Sequence, residues 1–141
     1  MMAEFTNTAL QTVAVGQNVV FNETPVCGGN NIYHREGSGV VRLRGITQQC
    51  RARYKISFGA NIQIPEGGTV EEISIAISLD GEALGSATMI VTPAAAGDFW
   101  NVHATVYVEV PRGCCATVSV ENTSTQPIEV QNANLIVERV A

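Results

Sequence analysis

The chain reads as all-β, with eight to ten strands at the spacing of a sandwich or barrel. Three observations predict this: apolar and polar residues alternate over long runs, chain-reversing residues fall between the runs, and no window combines helical apolar spacing with caps. The 141 residues match the commonest size of a single domain and suffice for one buried core.

The first strong signal is NIYHRE followed by VVRLRG, two runs flanking Gly37-Ser38-Gly39. Glycine supplies the positive φ that a tight reversal needs, so this stretch predicts a hairpin with a three-residue loop. His34 and Glu36 would then share a face with Val40, Arg42 and Arg44. The longest run, CRARYKISFGANIQIP, alternates Ala52, Tyr54, Ile56, Phe58, Ala60, Ile62 and Ile64 with polar or small residues. Period two over that length predicts one long strand with one buried face.

EISIAISLD continues the pattern through Ile73, Ile75, Ile77 and Leu79, NVHATVYVEV through Val102, Ala104, Val106, Val108 and Val110, and ATVSVEN through Ala116, Val118 and Val120. Between them lie Pro65-Glu66-Gly67-Gly68, Asp80-Gly81, Pro111-Arg112-Gly113 and the segment Asn122 to Pro127, all turn chemistry. Val, Ile and Thr dominate the runs, and β-branched side chains favour strands over helices.

Composition excludes several roles. No apolar run approaches the ~20 residues of a membrane-spanning helix, so no membrane insertion is expected. The opening MMAEFTNTAL lacks the basic-then-apolar pattern of a secretory signal. A net charge of -5 argues against a general nucleic-acid binder, which needs a cation surplus to neutralise phosphates. Basic residues are nevertheless concentrated: Arg35, Arg42, Arg44, Arg51, Arg53 and Lys55 are six of the eight in the chain. Arg42 and Arg44 alternate on one strand, and Arg51, Arg53 and Lys55 on the next. If the two strands are neighbours, the five form one cationic stripe suited to carboxylates of a neighbouring subunit, because the guanidinium fork pairs with them bidentately.

No catalytic or metal site is expected. Gly37 and Gly39 lead into a strand rather than a helix, which removes the phosphate-loop reading. The hydrolase elbow, the zinc-protease His pair and the Cys-x-x-Cys redox motif are all missing. His34 and His103 are the only histidines, and their spacing to the cysteines matches no ligand motif, so neither a metal nor any other cofactor is assigned. His103 reads as an outward residue of its strand, beside Asn101, Thr105 and Tyr107. Cys27, Cys50, Cys114 and Cys115 allow three full pairings, and the adjacent pair is the least suited to bond to itself. RGCCA is expected as a turn whose thiols are buried or crosslinked, the pairing left open. Trp100, the only tryptophan, is a candidate for stacking on a sugar or for a subunit contact. Asn22-Glu23-Thr24 and Asn122-Thr123-Ser124 match the glycosylation triplet, which turn-forming asparagine explains equally well.

The strand ARYKISFGANIQIP, the hairpin LDGEALGSATMIVTP, the strand FWNVHATVYVEVPRG and the closing VQNANLIVERVA, in that order, resemble the tumour-necrosis-factor and complement-type jelly-roll superfamily. They are most similar to the C-terminal domains of collagen-like glycoproteins on Bacillus spores and to small Firmicutes and phage domains. The resemblance covers the chain from about Ala9. It implies an N-terminal arm over residues 1–8 and one jelly-roll domain over 9–141, a two-sheet sandwich of about ten antiparallel strands. It also implies a non-enzymatic homotrimer that displays or attaches: a virion decoration or head-fibre component, or a lectin-like or receptor-binding module on a bacterial or spore surface. Two features depart from the spore proteins: no collagen-like stalk precedes the domain, and their pattern has no such cysteines. Candidate contacts to a partner, a glycan or another subunit are Arg42, Arg44, Arg51, Arg53 and Trp100.

Overall fold

A computed structural model describes residues 2–141, which form eleven strands and, among the described residues, no helix. The strands are β1 (Met2–Asn7), β2 (Gln11–Val13), β3 (Glu23–Val26), β4 (Ile32–His34), β5 (Val41–Arg44), β6 (Arg51–Gln63), β7 (Ile73–Leu79), β8 (Glu82–Val91), β9 (Trp100–Pro111), β10 (Cys115–Asn122) and β11 (Ile128–Arg139). They build two antiparallel sheets. One runs β3-β1-β11-β6-β9, with β2 beside β11 as well; the other runs β4-β5-β10-β7-β8. Among the described residues, no helix is long and apolar enough to cross a membrane.

The alternation read from the sequence becomes the core. Ala52, Tyr54, Ile56, Phe58, Ala60, Ile62 and Ile64 all face the opposite sheet and are buried, as are Ile73, Ile75 and Ile77 of β7 and Ala116, Val118 and Val120 of β10. Phe21 meets Phe58 edge-on, with ring centroids 6.4 Å apart, closing the centre. Each large aliphatic or aromatic side chain removed from water here contributes about 1.5–3 kcal/mol. The Asp80-Gly81 reversal is a two-residue hairpin loop with both residues at positive φ (53° and 83°), which matches the right-handed twist of β7 and β8.

Three expectations are corrected. Residues 1–8 are not a separate arm: Met2 to Asn7 form β1, paired along β11, with Ala3, Phe5 and Asn7 buried; Met1 lies outside the described residues. Asn7 is accommodated because its amide donates to the Val20 carbonyl at 3.0 Å.

The Gly37-Ser38-Gly39 hairpin has a longer loop than its glycines suggested. His34 pairs with Val41 and Tyr33 with Arg42, leaving six residues between the strands. That one-residue change of parity turns His34 inward, 4.5 Å from the Phe5 ring, while Tyr33 takes the place beside Arg42. His34 Nε2 lies 2.8 Å from the Ser38 carbonyl, and its Nδ1 is buried without a partner.

The single cationic stripe does not form. Arg42 and Arg44 stand on β5 in one sheet, Arg51, Arg53 and Lys55 on β6 in the other, so the two groups face opposite sides of the sandwich.

Candidate contact sites at the two poles

Antiparallel pairing sorts the chemistry by pole. Arg51 is opposite Pro111, and eleven rows further along, Ile62 is opposite Trp100. At ~3.3 Å per residue, Trp100 is roughly 36 Å from the arginine end of β6. Cys27 to Asn31 and Pro111 to Cys115 are at one pole, and Pro93 to Trp100 at the other. All four cysteines belong to the first pole, and every basic residue but Arg35 lies in that half. Glu66, Glu71, Glu72 and Asp98 fall in the loops of the other.

At the cysteine pole the Pro111–Cys114 turn is a hub. The Gly45 amide donates to the Cys114 carbonyl at 2.8 Å, Gly113 N donates to Gly45 O at 3.0 Å, and Arg112 N donates to Cys50 O at 2.9 Å. Gly45 has no room for a side chain, since a Cβ there would collide with the Pro111 carbonyl. Buried Tyr54 ties the sheets together below the hub, its hydroxyl donating to Arg44 O at 2.7 Å and reaching Asn31 O at 3.3 Å.

On one side of the hub, Arg42, Arg44, Gly45, Ile46, Gly113, Cys114 and Cys115 line an open hollow of about 390 Å³. On the other, Gln49, Cys50, Arg51, Arg53, Glu109 and Ala141 line one of about 230 Å³. Arg53 pairs with Glu109 at 3.3 Å, both half exposed; among the described residues this is the only ion pair, so Arg42, Arg44, Arg51 and Arg112 have no carboxylate partner. The thiols of the RGCCA turn are not buried as expected: all four cysteines are exposed, with free thiols. No three His, Cys, Asp or Glu side chains among the described residues are placed to hold a metal ion.

At the opposite pole Trp100 is 50% exposed beside half-exposed Phe99. It is neither core nor brought near the arginines. His103 is outward, in line with Asn101, Thr105 and Tyr107.

The outer face of the six-stranded sheet was missed by sequence reasoning. Its middle carries Ser57, hydrogen-bonded to Thr105 at 3.0 Å, Gly59, Ile136, and an amide chain in which Asn101 donates to Asn61 at 3.1 Å and Asn61 to Asn132 at 3.2 Å. Formal charge in these rows is limited to Glu4 on β1, which accepts from Asn134. Toward the cysteine pole, exposed Tyr107 joins Arg53, Val140 and Ala141 around a shallow concavity. The signal was present as the polar half of each alternation: Ser, Gly and Asn on β6 opposite Asn, His and Thr on β9, with no lysine or glutamate among them.

Superposition on solved structures identifies the architecture. The chain matches Eiger TNF from S. frugiperda with a TM-score of 0.71 and 11% identity, covering 100% of this chain and 92% of that one. The fold is the tumour-necrosis-factor-like jelly roll. The globular domain of zebrafish complement 1qA protein matches at a TM-score of 0.66 and 9% identity, over 99% of this chain and 95% of that one. The PRD1 vertex protein P5 matches at 0.55 and 10%, over 99% and 96%. No protein-family model matches the sequence, and no curated protein matches it.

Proposed function

We propose that the protein is a non-enzymatic structural module that assembles as a homotrimer and serves display or attachment on a virion, as a phage decoration or head-fibre component. The observation that carries this reading is the middle of the outer face of the six-stranded sheet. Interface centres are depleted in charge and enriched in aromatic residues. This face meets the first criterion: Ser57, Gly59, Ile136 and the asparagine chain occupy its middle, and the aromatic Tyr107, 60% exposed, stands at its margin. The PRD1 vertex protein P5 shares this fold, which is compatible with a place on a virion. Partners are then other virion or surface proteins that meet the module at its poles.

Light scattering on the purified protein tests the assembly. A mass near 45 kDa, three times 15.0 kDa, is expected with or without reductant. Ser57→Arg, which places a charge in the middle of the face without touching the core, is expected to give monomer with unchanged circular dichroism. A wild-type monomer refutes the proposal.

A second reading, a lectin-like or receptor-binding module on a bacterial or spore surface, is favoured by the exposed Phe99-Trp100 pair, since aromatic faces stack on sugars. Glycan-array binding lost in Trp100→Ala, with the fold retained, would select it over the first.

A further inference from the structure

We propose that the hollow lined by Arg42, Arg44, Cys114 and Cys115 is a thiol–disulfide exchange site that covalently links the protein to an acidic, cysteine-bearing segment of a partner protein. Two free thiols and two arginines without carboxylate partners share this hollow. The sheet register puts them together: Cys115 is directly opposite Arg44, and Thr117 opposite Arg42, on neighbouring strands whose facing side chains stand ~5 Å apart. Asp80, which accepts from the Thr117 amide at 2.9 Å, forms no ion pair with either arginine. Carboxylates flanking an incoming cysteine would find both guanidinium forks free. Exposed Ile46 at the rim adds apolar contact.

The reaction is an exchange and needs no added oxidant. A Cys114 or Cys115 thiol loses its proton to solvent, and the thiolate attacks one sulfur of the partner's disulfide. That S–S bond breaks as the new one forms, and the partner's second sulfur leaves as thiolate.

The adjacency of the two thiols makes the product persist. A relaxed disulfide wants Cα atoms at least ~4.4 Å apart, and consecutive residues are held at ~3.8 Å. The neighbour is thus poorly placed to expel the partner by closing a Cys114–Cys115 bond. Nor does the chain offer a relaxed alternative in Cys27. It follows directly on β3, a strand of the other sheet, and no strand pairing brings it beside β10. A second copy is the wrong occupant, because the same pole of that copy is basic too.

Two synthetic peptides of equal length, each bearing one cysteine as its thionitrobenzoate disulfide, test the proposal on the full-length protein. One has glutamates around the cysteine and the other lysines. The acidic peptide is expected to react roughly tenfold faster at low salt, the ratio falling toward one as salt is raised. Peptide mapping should place the adduct on Cys114 or Cys115, and Arg42→Glu with Arg44→Glu should reverse the preference while leaving circular dichroism unchanged. Equal rates for the two peptides, adducts mainly on Cys27 or Cys50, or rapid conversion of the adduct to a Cys114–Cys115 disulfide would each overturn it. The readout stands whether the protein is a monomer or a trimer.

Discussion

Replacing Asn122 by alanine probes the structure where it is most exacting. Asn122 ends β10 and is fully buried. Its amide nitrogen donates to Val13 O and Gln126 O, each at 3.0 Å, and its Oδ1 accepts from Ser124 N at 2.8 Å. One side chain thus holds β2, the end of β10 and the reversal into β11. A buried hydrogen bond contributes about 1 kcal/mol net, and stranding a buried partner costs about 1–3 kcal/mol. Three bonds with partly relaxed partners give a loss of about 3–5 kcal/mol for Asn122→Ala. For a domain of this size that corresponds to a fall in Tm of roughly 8–15 °C. Thermal unfolding followed by circular dichroism measures it, at matched concentration because any assembly also contributes stability. Asn22→Ala is the control: Asn22 is exposed, and its change should stay within about 0.5 kcal/mol. An Asn122→Ala loss below about 1 kcal/mol would refute the three-bond account. The same burial predicts that, in the folded protein, Asn122 accepts no sugar despite its Asn-Thr-Ser triplet.

Tyr54→Phe removes the hydroxyl that donates to Arg44 O and reaches Asn31 O, and should cost about 1–2 kcal/mol in urea unfolding. Gly45→Ala forces its Cβ into the Pro111 carbonyl, so soluble yield should collapse or the cysteine-pole turn rearrange, seen as altered Cys114 and Cys115 labelling. Arg53→Gln, by contrast, breaks an ion pair whose partners are 54% and 46% exposed, and should shift stability by less than about 1 kcal/mol.

The long strands were readable because a half-buried strand imposes period two over many residues. β6, with thirteen residues, leaves no other pattern available. β1 was not, since its inward positions are Ala3, Phe5 and Asn7, and a buried asparagine declares itself only through the Val20 carbonyl that satisfies it. Parity was the second blind spot. Alternation says that Arg42 and Arg44 share a face, and loop length decides what they share it with. Gly39 had a cause invisible in sequence: a Cβ there would approach Val19 O to 2.6 Å. Nor does alternation say which sheet a strand joins, which is why two outward cationic runs, six residues apart, ended on opposite sides. Charge separation between the poles was hidden for the same reason, since it arises from antiparallel pairing of distant segments.

The order β3-β1-β11-β6-β9 has a kinetic consequence. β11, the last strand of the domain to be synthesised, is central to its sheet, with β1 and β2 on one side and β6 on the other. Met2 must wait for Glu138. Until those final residues emerge, the apolar faces of β1 and β6 have no strand between them, so the nascent chain holds two open edges rather than half a sandwich. Closing so many sequence-distant pairings together places folding in the slow, millisecond-to-second range. A chain stopped short of residue 128 would lose the seam of the sheet, not its border, and the unpaired edges of β1 and β6 would be left to pair with other chains.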